Sequence, residues 1–402
     1  MAERTDIKGL PDPKPRIALV HDWLVSPGGA ERVLLAMHEL WPEAPIYTAA
    51  YEPSKFPKFA DADVRVTWLN KIKLAKKKHQ LFSIPRAWAF KGLNLSEYDI
   101  AISSSSAEAK YVRTTQKRKW FRAARSNAMQ GKGEQPLHIC YCHTPIRYYW
   151  SDYEWYRTHP PFGALNPLAK LMLPMLIPFL RRMDFKAAQR VDKFIANSKN
   201  VAGRIKKYYQ RESTVIYPPV DTDRFKAVAP VAGEYYLVLG RQVAYKRLDI
   251  VVEAFNELGL PLLVVGTGEE IARQKERSGD NIKYLGRVSE DELPGIYAGS
   301  KAFIFPAEED FGIVMVESIA AGKPVIAYGK GGALEIVEDG KTGVIFGEQT
   351  KKSLIDAVSR SQRMTFDPDY LKKEASRFDV ERFKTEIKDF VDDAYTSKNL
   401  RT

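Results

Sequence analysis

The chain has 402 residues, 45% of them hydrophobic and 28% charged, with glycine and proline scattered rather than clustered. That make-up excludes fibrous, low-complexity and disordered classes, and the length exceeds one ordinary core, so two domains of roughly 200 residues are expected. The net charge of +12 is uneven: residues 1–217 carry 36 Lys+Arg against 19 Asp+Glu, whereas residues 218–402 carry 26 against 31.

The N-terminal MAERTDIKGLPDPKPR is polar and has no apolar leader segment, so no secretory signal is expected, while the free thiols expected at Cys140 and Cys142 fit a reducing cytoplasm. The first predicted strand, RIALVHDWL, runs into Gly28 and Gly29 of SPGGAER and then into the apolar-periodic AERVLLAMHELW, which predicts a helix. Glycines at that place either bring backbone and a helix N-terminus close to an anion or make a tight turn; without the full dinucleotide spacing both readings stand.

Further strands are predicted at DIAISSS, LHICYCHT and KFIANS, and the alternation with helical stretches predicts a parallel sheet covered by helices on both faces. Between the first two of these, Lys110 to Glu134 forms a long basic insertion of the kind that is usually functional or disordered. Cys140 and Cys142, the only cysteines, share one strand face too closely for an unstrained disulfide, so free buried thiols are expected. His143 falls on the opposite face and no second Cys/His cluster exists, so no metal site is expected there. At a strand C-terminus His143 faces a cleft or serves structure, and position alone does not choose. The run LAKLMLPMLIPFL, from Leu168 to Leu180, is interrupted by Lys170, Pro174 and Pro178 and is too short to span a bilayer; it reads as a buried helix or as part of a membrane-facing surface.

Pro218 and Pro219 mark the expected domain boundary. A second, more regular series follows: YYLVLG, LDIVVEAFNEL, PLLVVG, IKYLG, EDELPGIYAGS, AFIFP, VMVESIAAG and PVIAY. In GRQVAYKR, Arg241 and Lys246 follow a strand end and suit a departing diphosphate, unless they are merely solvated. VVGTGEE lacks the third glycine of a dinucleotide loop. In EEDFGIVMVES the helix is expected to begin between Phe311 and Ile313 and to stop at Gly322, which puts Glu309 in a loop and Glu317 within the helix. The two glutamates then grip separate parts of one extended ligand, and Asp310 reads as a loop or cap acid without a role.

Taken together and in this order, SPGGAER, CHTPIRYYW, ANSKNVAGRI, VIYPPVDTDRF, GRQVAYKR, YLGRV and EEDFGIVMVE resemble a GT-B glycosyltransferase of family 4, most of all bacterial mannosyltransferases of O-antigen or exopolysaccharide synthesis. The resemblance implies two Rossmann-like doubly wound α/β domains facing across a cleft: residues 1–217 on the acceptor side, residues 218–378 binding the donor, and a helix at 379–395 packing back on the first domain. It implies retaining, metal-independent transfer from a nucleotide-sugar, GDP-mannose before UDP-glucose or UDP-N-acetylglucosamine, with no cofactor. Arg241 and Lys246 match the diphosphate grip, Glu309 the sugar grip, Glu317 the ribose grip, His143 the histidine near the reacting sugar and Val288 a backbone contact to the base. Gly28 and Gly29 match the phosphate loop, and Phe311, Gly312, Ile313 and Val314 complete the donor set. Gln242 and Ala244 depart from the family's more apolar run.

The basic first half, with aromatics among its cations, admits a nucleic-acid reading, but no zinc-finger or RNP signature accompanies it and no nucleic-acid partner is expected. An anionic membrane surface at the inner face of the plasma membrane, carrying a lipid-linked or oligosaccharide acceptor, accounts for the same charge.

Overall fold

The computed structural model describes residues 15–77, 82–114, 135–158, 166–229 and 231–400. Most of the basic insertion lies outside the described residues.

Two parallel sheets organise the chain. The first contains β1 (Ile17–His21), β2 (Ile46–Thr48), β3 (Val64–Val66), β4 (Ile100–Ser105), β5 (Leu137–Cys142), β6 (Lys193–Ala196) and β7 (Thr214–Val215), in the order β3-β2-β1-β4-β5-β6-β7. The second contains β8 (Tyr235–Leu239), β9 (Leu262–Val265), β10 (Ile282–Gly286), β11 (Ser300–Phe305), β12 (Val325–Tyr328) and β13 (Gly343–Phe346), in the order β10-β9-β8-β11-β12-β13. Every residue of β1, β4 and β5 is buried, as expected of central parallel strands covered on both faces. Cys140 and Cys142 are buried free thiols.

In each sheet the order reverses once, between β1 and β4 and between β8 and β11. A reversal of this kind opens a crevice at the strand C-termini, because the crossover helices on its two sides lie on opposite faces. The glycine turn follows β1, GRQVAYKR follows β8 and Glu309 follows β11, so the topology brings their loops to two facing crevices.

The domains are joined by two chain crossings that lie side by side. Val220 pairs with Asp379, Val220 N–H donates to Phe378 O at 2.9 Å and Thr222 Oγ1 donates to the Asp379 carboxylate at 2.8 Å. Asp379 also caps the closing helix Val380–Asn399, whose Phe383, Ile387, Val391 and Ala394 recur at helical spacing and enter the first domain's core with Leu19, Leu34 and Ile102.

The apolar run expected at Leu168–Leu180 lies within one helix, Asn166–Ala188, which contains Pro174 and Pro178. Each proline removes an N–H donor from the helix interior. Its Ile177 and Leu180 are buried, while Leu171, Met175 and Phe179 are exposed.

Candidate active site

The facing crevices enclose one cleft of ≈ 1240 Å³. From the first domain it is lined by Gly28, Gly29, Arg32, His143 and Arg147, and from the second by Lys246, Glu309, Asp310, Phe311, Gly312, Ile313, Val314 and Glu317.

On the second domain's side, Gly312 has φ +98, a left-handed conformation that glycine adopts without a Cβ penalty, and it starts the helix Ile313–Ala320. That helix start lines the cleft and has no side-chain cap, and the first N–H groups of a helix have no partner within it further up the turn. Glu309 precedes it and forms an ion pair with Lys246. The Glu309 loop is braced from behind by a second glycine loop: Gly332 N–H donates to Glu309 O at 2.9 Å, and a Cβ on Gly331 would stand 2.2 Å from the same oxygen. Gly331 also has φ +65. Neither Gly331 nor Gly332 entered the sequence reading, although GKGG carried the signal.

Glu317 is buried within the helix. Its carboxylate accepts from Arg32 Nη1 at 2.6 Å and from the Tyr297 hydroxyl at 2.9 Å. Burial and the facing carboxylate raise the Tyr297 pKa, which keeps the hydroxyl a donor. Arg32 comes from the first domain's opening helix, Gly29–Leu40, and also reaches Glu290 at 3.4 Å. One turn earlier, a Cβ on Gly29 would lie 2.8 Å from Ile313 Cδ1. The glycine turn therefore permits close approach of the two helix starts.

Asp310 departs from the bland reading. It accepts from Arg147 at 2.6 and 3.1 Å and from Arg204 at 2.5 Å, so two first-domain guanidiniums converge on one second-domain carboxylate. Asp310 is the chief influence raising the Arg147 pKa. A third junction is made by Glu335, which accepts the N–H groups of Lys199 and Asn200 at 2.7 and 2.9 Å and so caps the helix Lys199–Tyr209 across the domain boundary.

His143 sits where β5 ends, with Nε2 2.8 Å from Ser104 Oγ, and His21 Nδ1 approaches the same hydroxyl at 3.1 Å. Burial, and then the neighbouring His21, push the His143 pKa down to about 3, so the ring is neutral at physiological pH. Asp22, the residue after β1, accepts backbone N–H groups of Ser106, Ala107 and Ala109 at 2.6, 2.9 and 2.7 Å and ties the loop after β4 to the cleft wall.

Two expected donor residues are placed apart from this set. Arg241 is exposed, makes no ion pair with the described residues and is absent from the cleft lining. Val288 packs against the second domain's core, while Arg287 and Glu290 beside it line the cleft. The near-miss glycines of VVGTG have a local purpose: Cβ atoms on Gly266 and Gly268 would stand 2.0 Å from Gly240 O and 1.9 Å from Gln242 O, so two loops pack backbone to backbone. Among the described residues no group of three or more His, Cys, Asp or Glu is arranged to hold a metal.

Two family models cover this architecture in succession, one described as Glycosyltransferase Family 4 over residues 27–224 and one as Glycosyl transferases group 1 over residues 219–377. The chain belongs to the GT-B glycosyltransferases of family 4. Among curated relatives, this glycosyltransferase is 28% identical over 254 residues to a GDP-mannose-dependent alpha-(1-6)-phosphatidylinositol monomannoside mannosyltransferase of Mycobacterium tuberculosis, a match covering 51% of this chain and 65% of that one. It is 29% identical over 197 residues to a D-rhamnosyltransferase of Pseudomonas aeruginosa, covering 44% and 50%. The matches thus span less than two thirds of these relatives. Among solved structures, Anabaena HepE in complex with UDP-glucose superposes with TM-score 0.66 at 20% identity, covering 94% of this chain and 99% of that chain. Sucrose-phosphate synthase of Thermosynechococcus elongatus superposes with TM-score 0.67 at 17% identity, covering 96% and 100%. At these identities the structural likeness concerns the GT-B fold.

Proposed function

We propose that this glycosyltransferase moves mannose from GDP-mannose, with retention and without a metal ion, to a lipid-linked or oligosaccharide acceptor in cell-surface polysaccharide synthesis such as that of lipopolysaccharide, at the inner face of the plasma membrane. The observation that carries the donor side is the convergence of Lys246, Glu309, Glu317 and the open N-terminus of helix Ile313–Ala320 on one cleft wall. A cation, two carboxylates and a helix start match, in sequence, the diphosphate, sugar and ribose of one extended donor. GDP-mannose is favoured by the name of the mycobacterial relative.

In the reaction proposed, the acceptor oxygen bonds to the anomeric carbon on the face from which the diphosphate leaves. The bond from that carbon to the phosphate oxygen breaks, and the hydroxyl proton passes to a diphosphate oxygen. Lys246 leaves Glu309 for the diphosphate, and Glu309 is thereby released to accept from sugar hydroxyls. Arg241, an exposed cation two residues beyond β8, adds charge when the diphosphate draws it in. His143, neutral and held by Ser104, contributes a hydrogen bond near the reacting sugar without adding charge.

The test is nucleotide release from GDP-mannose, UDP-glucose and UDP-N-acetylglucosamine, each with and without a chelator, followed by NMR of the product's anomeric configuration. Preferential turnover of a UDP-sugar sinks the donor assignment, loss of turnover on chelation sinks metal independence, and an inverted product sinks front-face displacement.

A further inference from the structure

A chain of polar side chains runs from the cleft into the first sheet and back to the cleft. His21 ends β1 and stands opposite Ser104 of β4 in the parallel register, and His143 follows directly on β5. The Ser104 hydroxyl lies between the two rings, 3.1 Å from His21 Nδ1 and 2.8 Å from His143 Nε2. Beyond His21, the Glu31 carboxylate stands 3.6 Å from Nε2. A glycine at 28 leaves room for that carboxylate, since a Cβ there would lie 3.1 Å from Glu31 Oε2. His21 and Ser104 are buried, whereas Glu31 and His143 both line the cleft.

We infer that this chain fixes the tautomer of His143, so that its Nδ1 meets the ligand as a lone pair and accepts from a hydroxyl of the transferred sugar. A serine hydroxyl has a single proton, so Ser104 donates to one ring and accepts from the other. The far end of the chain sets the direction. A carboxylate facing Nε2 of His21 attracts an N–H and repels a lone pair, so in a ring with one proton that proton sits on Nε2 and leaves Nδ1 as the acceptor. Ser104 then donates to His21 and accepts from Nε2–H of His143, a neutral ring whose other nitrogen is left bare. The Tyr141 ring, packed 5.2 Å from that of His143 between centroids, braces the orientation.

His143 Nδ1 has no hydrogen-bond partner among the described residues and is not sealed from the cleft. A lone pair there repels a phosphate oxygen and matches a hydroxyl proton. His143 is thereby directed to the sugar, and the diphosphate is left to cations such as Lys246. Glu31, His21 and Ser104 act through His143 as positioning residues. The contact with the sugar rests on the transferase reading above; the tautomer does not.

Long-range proton–nitrogen NMR of the full chain, labelled at histidine and kept mildly alkaline, reads the tautomer directly, with His143→Asn assigning the signals. The wild type is expected to show His143 protonated at Nε2. Ser104→Ala is expected to lose that preference and to turn over the preferred sugar nucleotide about three- to tenfold more slowly, the effect of losing one neutral hydrogen bond. Its affinity for the matching nucleoside diphosphate, which lacks the transferred sugar, is expected to stay that of the wild type. Should Ser104→Ala fail to fold, Glu31→Ala is expected to raise the share of His143 protonated at Nδ1. A wild-type His143 protonated at Nδ1 or at both nitrogens overturns the inference, as does an unchanged tautomer in either folded variant. Unchanged turnover by Ser104→Ala, or a nucleotide affinity that falls along with it, overturns the contact with the sugar. A chain that shows the expected tautomer but turns over no sugar donor keeps the relay and defeats the transferase reading; turnover with the other tautomer defeats the relay alone.

Discussion

Lys246 and Glu309 hold each other on the cleft wall, so neither charge is left unpaired in that half-buried setting. In the proposed mechanism, removing Lys246 has two effects: it strips a cation from the departing diphosphate and frees a carboxylate that repels it. Lys246→Ala is expected to lower kcat by roughly 10²- to 10³-fold, the range seen when one preorganised donor to developing charge is lost. Steady-state nucleotide release measures this, and an unchanged kcat rejects the role. Glu309→Gln retains hydrogen bonding and removes the charge, so it is expected to cost less than Glu309→Ala. His143 gives a pH signature. Its folded pKa lies near 3, below the ordinary value of 6.5, and burial places His138 near 3 as well. Below pH 6.5 the unfolded chain takes up protons that the folded chain refuses, so stability falls with acid, by up to about 1.4 kcal/mol per pH unit for each ring. Denaturant titrations from pH 7 to pH 4 are expected to show a shallower acid limb for His143→Asn than for the wild type.

The helix Ile313–Ala320 delivers Glu317, opens its N-terminus to the cleft and receives Gly29 of the facing domain. Its position relative to Glu309 depends on Gly331 and Gly332. Gly331→Ala meets both a positive φ and a backbone oxygen, neither of which moves easily, so it is expected to lower the melting temperature and to reduce turnover even though residue 331 is not assigned a ligand contact. A normal melting curve with normal turnover refutes the bracing role. These elements also show what a sequence can carry. The run YYLVLG is legible as an unbroken apolar stretch closed by glycine and the helix LDIVVEAFNEL by its helical period, and the observed elements Tyr235–Leu239 and Leu248–Leu258 match them. The strands Ile46–Thr48, Val64–Val66 and Thr214–Val215 are too short to show one; they exist because a neighbouring strand supplies the pairing. Glu309 and Glu317 are legible as candidates, whereas their partners are not: Arg32 lies 285 positions from Glu317, and Arg147 lies 163 from Asp310.

Across the whole molecule, the uneven charge becomes a pattern of contact. Arg32, Arg147 and Arg204 come from the basic first domain and meet Glu317, Glu290, Asp310 and Glu308 from the acidic second domain. Asp310 is the most buried anchor that is not assigned to the donor, and removing one member of such a cluster leaves the other charges uncompensated, at a cost of roughly 3–5 kcal/mol for a fully buried pair and less here. Asp310→Asn is expected to loosen the domains, with a larger radius of gyration by small-angle scattering and lower turnover, while nucleotide binding to the second domain persists. An unchanged radius of gyration refutes the anchoring role.

Arg32 adds a thermodynamic consequence. The carboxylate proposed for the donor's ribose is already occupied by a guanidinium from the opposite domain. A donor that needs Glu317 must then draw on the fraction of molecules in which that pair is open, and its apparent affinity is reduced by the same fraction. The enzyme would spend part of its donor-binding energy on releasing its own first domain. Arg32→Gln is accordingly expected to bind the nucleotide more tightly than the wild type in calorimetry, an improvement in binding obtained by deleting a cation from an anion's site.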